Sequence, residues 1–571
     1  MSTSYTISIS KQKHILFQFE LPAISFIIFI ANYQLFMHAD FLQYIYLILI
    51  ILGLVMLANK LKLAYPIVLV LGGLLLSFVN VFSHITIDPE LIFFIFLPPL
   101  LYDAAWQVSW KDFWKWRRVI MSFAFPIVIL TSCVVAFTAY ALIPGFTFAL
   151  GFLLGGIVSP PDAISATTIM RQVKAPKMLV GIAEGESLLN DASSLIVFRF
   201  ALAAMITGQF HLNEAVVSFF LVIIMGTLIG IFVALIFYFI HRWLPVTPGI
   251  EIALTFVAPY CMYYFAEHYH FSGVLAVVSG GLFLSYRRQT VLTYIGRIQG
   301  VNVWSSLVFI LNGVVFLLIG LQLPFIVEQL GETSLSTAIG YGLAISAVLI
   351  ISRLLCALGA SVFTRFMSRF ITVADNNPGW KSPFIFGWAG MRGVVSLAMA
   401  LSIPLLLDSG QAFPYRNLIL FITFIVILVT LVLQGLTLPW IIRKLNPENR
   451  STSLPEEQQE RIIQKKMAKA SLDLLKEKYA GEEKQNEHVS NLIARLELDI
   501  KFLQQDIEDV IAHGNAFSSY KRIYLELLEA QRKLLYEMNY KEEFDEEVIR
   551  KYLSLIDIEE YKVREKLLGN V

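Results

Sequence analysis

This sequence predicts an all-α, polytopic membrane protein, and three observations carry that fold class. Hydrophobic residues make up 57% of the chain, its mean hydropathy is +0.68, and only 15% of residues are charged. Soluble domains carry about 25% charged residues. Apolar runs of spanning length recur along most of the 571 residues, too often for a string of soluble domains. Basic residues, finally, gather in every second connection between those runs, which is how membrane proteins distribute them.

Spans are expected near 41–59, 63–80, 90–106, 119–143, 146–170, 178–207, 212–241, 249–268, 271–286, 300–328, 336–364, 382–405 and 417–442. Lys60 and Lys62 follow the first. Lys111, Lys115, Arg117 and Arg118 follow the third, Arg171, Lys174 and Lys177 the fifth, and Arg242 the seventh. Arg287, Arg288 and Arg297 follow the ninth, Arg365, Arg369 and Lys381 the eleventh, and Arg443 and Lys444 the last. The alternate connections hold Arg416 alone. By the positive-inside rule the basic connections face the cytosol, in a cell (cytoplasmic) membrane, and so does the C-terminal region. The expected organisation is an N-terminal segment 1–40, a thirteen-span membrane domain 41–445 and a cytosolic helical domain 446–571. Within the first of these, the apolar stretch 15–37 contains Glu20 and Pro22 and is followed by no small-residue cleavage site. It reads as an extra or interfacial helix rather than a signal peptide.

Three spans break the apolar pattern. The sixth contains Gly185-Glu186-Ser187-Leu188-Leu189-Asn190-Asp191. Asp191 lies about 21 Å along a helix from Lys177 at the cytosolic boundary, near the middle of a ~30 Å core. Ionisable groups at that depth are costly and mark ion pathways. On a helix Ser187 stacks with Asp191, and Glu186 with Asn190, on faces about 100° apart. One face offers oxygens to a small cation or a proton; the other offers a carboxylate and an amide to whatever braces the site. The fifth span contains Ser159-Pro160-Pro161-Asp162-Ala163. Two prolines cannot sit in a regular helix, and a break at membrane depth is tolerated only where protein or water takes up the freed groups. The twelfth span contains Gly387-Trp388-Ala389-Gly390-Met391-Arg392-Gly393, a glycine-interrupted run around a buried arginine. The two broken spans are each fifth in a six-span half, and their odd offset implies halves of inverted orientation. Inverted repeats with broken helices at matching positions point to a secondary transporter with a midplane site.

Phe93-Phe-Ile-Phe-Leu-Pro-Pro-Leu-Leu-Tyr-Asp103, the break at Ser159 to Ala163, the run Gly185 to Asp191 and Gly390-Met-Arg-Gly393 together resemble the NhaP/NHE-type sodium–proton antiporters of the monovalent cation–proton antiporter superfamily. The resemblance spans about residues 41–444. It implies an NhaA-like fold, a homodimer and an elevator mechanism. It further implies that Asp191 binds cation and proton in turn, that Asp162 in the unwound crossing shapes the site, and that Ser187 supplies a ligand oxygen. Glu186 is then expected to pair with Arg392 and hold Asn190. The sequence departs from the family at Pro161, where relatives carry threonine. Only the backbone carbonyl of Pro161 remains available as a ligand.

The chemistry follows without the family. Desolvation makes a carboxylate hold its proton more tightly, so proton and hard cation compete for one site and their fluxes are coupled. Asn190 is neutral, so one acid exchanging one proton for one monovalent cation moves no net charge. The expected function is electroneutral sodium–proton exchange, with potassium–proton exchange at the same residues as the alternative and lithium as a further cation. The duller reading of Asp191 and Asp162 is that they cap broken helices. Asp103 reads either as an acid of the mouth or as a cap. Arg199 and Arg353, inside spans, read as structural, by snorkelling or pairing; Asn302 and Asn312 read as interhelical glue. Glu267-His268-Tyr269-His270 has one acid only and reads as no metal site. An intramembrane hydrolase using Ser187 is a remote rival: Leu189 replaces the second glycine of a nucleophile elbow, and no histidine lies in the neighbouring spans. The chain is therefore read as a transporter, not an enzyme. Beyond Asn446 the composition turns charged, with helices expected near 455–479, 485–512, 516–539 and 543–567 and a heptad-like stripe of Val489, Leu492, Leu496, Ile500, Leu503, Ile507 and Val510. Gly481 and Gly514 are isolated, so no nucleotide fingerprint appears. The expected partners are the cation, the proton, membrane lipid and a second copy of the chain, with no cofactor and no nucleic acid.

Overall fold

A computed structural model describes residues 43, 45–78, 92–208, 212–330, 333–370, 373, 375, 379–407, 410–447, 456–479, 486–504, 514–539 and 546–568. The stretch 15–37, and Ile507 and Val510 of the expected stripe, lie outside them. The chain divides into two compact units, 1–449 and 450–571.

Each expected span carries helix. In order these are α1 (Ile45–Leu61), α2 (Tyr65–Leu76), α3 (a π turn Ile92–Phe96 leading into Leu97–Gln107) and α4 (Trp110–Leu142). Then come α5 (Phe148–Val158), α6 (Ala163–Gln172), α7 (Lys177–Thr207), α8 (Leu212–Trp243), α9 (Pro248–His268), α10 (Gly273–Tyr286), α11 (Tyr294–Leu321) and α12 (Leu335–Met367). The broken twelfth span forms α13 (Lys381–Trp388) and α14 (Val394–Leu401), and α15 runs Arg416–Leu445. Eight of these stretches are long and apolar enough to cross a membrane; α1–α3, α10 and the α13–α14 pair are shorter.

Local chemistry sets the ends. Ser109, Thr147, Ser272, Thr293 and Ser334 each accept a hydrogen bond from a backbone N–H in the first turn of the helix that follows, which satisfies donors the helix itself leaves open. Helix α4 starts earlier than the apolar pattern, at Trp110, because Ser109 caps it and its first turns are amphipathic. Pro126 lies in a π turn within α4. Gly208, at φ 69°, ends α7.

The helices form two groups. In the first, α4 packs on α5, α7 and α12, α5 on α7, α14 and α15, and α12 on α13 and α15. In the second, α2 packs on α11, α3 on α10, and α8, α9 and α10 on one another. Lipid supplies no hydrophobic drive between helices, so close approach matters. Gly73 of α2 faces Gly320 of α11, where any Cβ would run into the opposite backbone. The groups meet where α3 and α10 touch α7 and α11 touches α14.

The second unit contains α16 (Glu456–Lys478), α17 (Glu487–Gln504), α18 (Gly514–Asn539) and α19 (Glu546–Leu568). Helix α16 packs on α17 and α18 on α19. Lys476 bridges to Glu497 at 2.7 Å, while Arg532 reaches Asp557 at 2.8 Å and Glu560 at 2.6 Å. One member of the expected stripe differs: Ile493, 5% exposed, takes the place of Leu492, 47% exposed. Val489, Ile493, Leu496 and Ile500 alternate spacings of four and three and so stay on one face, which position 492 leaves.

Candidate functional site

The two broken spans cross at their breaks. The backbone N–H of Asp162 donates to the Met391 carbonyl at 2.7 Å. Breaking α5–α6 leaves carbonyls at the end of α5 and N–H groups at the start of α6, with opposite partial charges. Arg392, fully buried, answers the first: Nε donates to the Val158 carbonyl at 2.9 Å, Nη2 to the Ser159 carbonyl at 3.4 Å, and Nη1 to the Gly390 carbonyl. Asp162 answers the second as N-cap of α6, accepting from the Ile164 N–H at 3.0 Å and from the Ser165 hydroxyl at 3.2 Å. The backbone N–H of Arg392 donates to the Thr430 hydroxyl at 3.1 Å. The glycines of Gly390-Met-Arg-Gly393 make room for side chains: a Cβ at 390 would meet Arg353, and one at 393 would meet the Asp162 carboxylate.

Helix α7 pins the α5–α6 break. Asn190 donates from Nδ2 to the Pro161 carbonyl at 3.0 Å, and the Ser187 hydroxyl accepts from the Ala163 N–H at 3.3 Å. Glu186 pairs with Arg353 of α12 in a two-pronged bond, 2.8 Å for each prong, with side chains 2% and 5% exposed. The Arg353 guanidinium also lies 5.4 Å from the Phe386 ring centre and 6.0 Å from that of Phe123.

The expected brace therefore needs correction. Glu186 takes Arg353 instead of Arg392, because Arg392 is occupied by the carbonyls that the broken α5 leaves open. Asn190 is held by the Pro161 carbonyl rather than by Glu186, since the break presents that acceptor to the buried amide. The Pro161 carbonyl thus accepts the Asn190 amide, and Pro160 rather than Pro161 lines the cavity described next.

A cavity of about 270 Å³ lies between the two helix groups. Asp191, Ser187 and Asp162 line it from the first group, and Asp103, Gln107 and Asn312 from the second. Asp103 accepts from Gln107 Nε2 at 2.6 Å. The cavity continues to Glu184 and Arg171, an ion pair at 2.5 Å; the Arg171 side chain is 60% exposed, so this end reaches the surface. At the other end of α7, Arg199 joins Glu267 of α9 at 2.6 Å, and Glu267 also accepts from the Gly273 N–H at 3.0 Å. Arg199 is thus a structural pair outside the cavity, and Glu267 is committed to it. Asp191 is 7% exposed, and its carboxylate makes no hydrogen bond or ion pair among the described residues. One bare carboxylate, a hydroxyl and a second carboxylate lining one cavity form an oxygen set suited to a hard cation or a proton.

Arg353, which the sequence reads as structural by snorkelling or pairing, does pair; the sequence left its partner, Glu186, unnamed. Asn312, which the sequence reads as interhelical glue, lines the cavity.

The transmembrane sodium/hydrogen exchanger family profile matches residues 46–444. The chain is 31% identical over 512 residues to an Escherichia coli protein named as an uncharacterised Na(+)/H(+) exchanger, YjcE, covering 86% of this chain and 93% of that one. It is 33% identical over 386 residues to a Bacillus subtilis sodium, potassium, lithium and rubidium/H(+) antiporter, covering 66% of this chain and 57% of the relative. The structure of the sodium proton antiporter MjNhaP1 from Methanocaldococcus jannaschii superposes with a TM-score of 0.52 at 18% identity, over 72% of this chain and all of that one. That likeness speaks for the fold.

Proposed function

Since the chain belongs to the sodium/hydrogen exchanger family and is a multi-pass cation–proton antiporter, we propose that Asp191 is its carrier group, holding a proton and a monovalent cation in turn. The observation that carries this reading is the unpartnered Asp191 carboxylate at the inner end of a cavity that reaches the surface at one end. Ser187 supplies a ligand oxygen beside it. Asp162 contributes its charge to the site while it caps α6. Asp103 and Gln107 form the polar wall through which the cation passes.

The cycle is electroneutral on this reading. Glu186 is tied to Arg353 and Asn190 is neutral, so Asp191 alone exchanges its occupant. Sodium is the expected cation. A second reading, potassium–proton exchange at the same residues, draws on the Bacillus subtilis relative, whose name includes potassium, lithium and rubidium. Alternating access then rocks the helix group carrying Asp191 against the group carrying Asn312. The working protein is a homodimer in the cell membrane, surrounded by lipid. Arg171 belongs to a basic connection read as cytosolic, so the cavity opens on that side.

Proteoliposomes holding an internal pH dye, pulsed with sodium, potassium and lithium in turn, test this directly. The native chain should move protons with its preferred cation, and Asp191→Asn, folded, should move none. Robust exchange by that variant would sink the assignment.

A further inference from the structure

A second cavity, a groove of about 960 Å³, lies within the helix group that carries Asp191, between α4, α7, α12 and α13. It reaches the same end of each helix: Met178 and Leu179 open α7, Ser382 and Pro383 open α13, and Thr364 and Met367 close α12. Those ends adjoin the basic connections, which the positive-inside rule gives to the cytosol. Polarity changes along the groove. Lys115, Arg117 and Arg118, on the first three turns of α4, line its cytosolic end, against one acid among the lining residues, Asp375. Deeper in, the lining is mostly apolar as far as Leu130 of α4 and Leu355 of α12. From Lys115 to Leu130 the helix covers about 22 Å, the depth of one leaflet with its headgroups. Leu130, Leu355 and Phe363 line the groove and are each more than half exposed, so it opens sideways, where the bilayer lies.

Basic residues adjoin every cytosolic helix end of this molecule; here three of them top a groove of leaflet depth. A water-soluble anion would match the basic end and leave the apolar length unfilled. A neutral lipid would match the length and leave the basic end without a counterion. We propose that the groove binds one anionic phospholipid of the cytosolic leaflet, its phosphate among Lys115, Arg117 and Arg118 and its acyl chains along α4 and α12. This rests on the membrane orientation given above to the basic connections, and not on the role of Asp191. The inner wall gives the lipid a purpose. Phe123 and Phe386 line the groove and are also the rings beside the Arg353 guanidinium, which pairs with Glu186 of α7. The lipid packs behind the ion pair that holds α7, and by binding only the folded chain it stabilises that chain.

The test uses the full chain, purified in detergent and stripped of lipid, with a photoactivatable phosphatidylglycerol and a phosphatidylcholine of the same acyl chains. Phosphatidylglycerol should cross-link to groove-lining peptides of α4 and α12, raise the thermal unfolding midpoint, and bind at least tenfold tighter than phosphatidylcholine, since each basic group near an anionic headgroup is worth about fivefold. Lys115→Gln, Arg117→Gln and Arg118→Gln combined should weaken that binding about a hundredfold. Gly359 offers an independent route: it lines the groove, and a Cβ there meets no atom within 4 Å. Gly359→Trp should fold, fill the groove, and lose both the cross-link and the thermal stabilisation; if the triple variant does not fold, this variant decides alone. Inorganic phosphate should not displace the lipid. Equal binding of the two lipids, cross-links confined to other helices, undiminished binding by Gly359→Trp, or displacement by phosphate would each overturn the proposal. Asp191→Asn should bind the lipid as the native chain does, so its loss of transport, or its failure to lose it, bears on the carrier assignment alone.

Discussion

Replacing Glu186 or Arg353 singly should cost far more than replacing both. The pair is bidentate at 2.8 Å, and its side chains are 2% and 5% exposed, so neither charge has water to fall back on. Glu186→Gln leaves the Arg353 guanidinium buried without its counterion. Arg353→Met leaves a buried carboxylate. Each single change should cost roughly 3–5 kcal/mol, the range for stranding one partner of a buried pair. The double variant strands nothing, so it should recover most of that loss, which requires a coupling energy larger than the roughly 3–5 kcal/mol cost of one single change. Thermal unfolding of the purified protein in detergent, followed by the surviving size-exclusion peak, reads all four corners of the cycle. Glu186→Gln combined with Arg392→Met is the contrast. Arg392 serves the Val158, Ser159 and Gly390 carbonyls, so that combination should give summed losses. Additive losses for 186 with 353, or rescue by 392, would refute the pairing.

Exchange should be insensitive to an imposed membrane potential: clamping it with potassium and valinomycin leaves the initial sodium-driven rate unchanged, whereas one net charge per cycle would couple to about 2.3 kcal/mol per 100 mV. Because proton and cation share Asp191, the apparent KM for sodium should rise with proton concentration on the same face while the rate at saturating sodium holds, and parallel loss of both would argue for separate sites. Gly393→Ala should abolish exchange, since its Cβ collides with the Asp162 carboxylate, and a fully active, equally stable variant would show the crossing to be looser than described. In the second unit, Arg532 and Arg564 hold the Glu560 carboxylate below the usual range, through hydrogen bonds first. A lowered carboxylate contributes stability that is present above its unfolded value and lost as pH falls through the folded one. Protection of α18 and α19 against hydrogen exchange, measured relative to the intrinsic rate, should therefore fall below about pH 4, the ordinary glutamate range, and Arg532→Ala should weaken that pH dependence, with Arg564 still paired to Glu560.

Periodicity and breakers made most of the helices legible. The breaks at Pro160-Pro161 and Gly390 to Gly393 were readable because proline cannot donate and a lipid-embedded backbone must be satisfied. The candidate acids were readable because bare charge at membrane depth is costly. Boundaries were less so where side-chain capping overrode hydropathy, as at Ser109, where α4 begins. The stripe of α17 was misread at one position because Leu492 and Ile493 are both apolar, and only packing chooses between them.

The amino-acid sequence by itself determined the fold class, the helices near each expected span, the two interrupted crossings and the run from Gly185 to Asp191 that carries the chemistry. Those properties are local: each follows from composition, spacing or a residue's own backbone limits. Which arginine neutralises Glu186 was not local. Two arginines stood at membrane depth in the later half, and the choice depended on which one the severed end of α5 had already claimed. The fate of Pro161 depended likewise on the Asn190 amide reaching its carbonyl from another helix. Asn312 came to line the cavity only when α11 came to rest beside α14. Pairing across helices is a competition among groups brought together by the whole fold, and a linear sequence names the competitors without naming the winner.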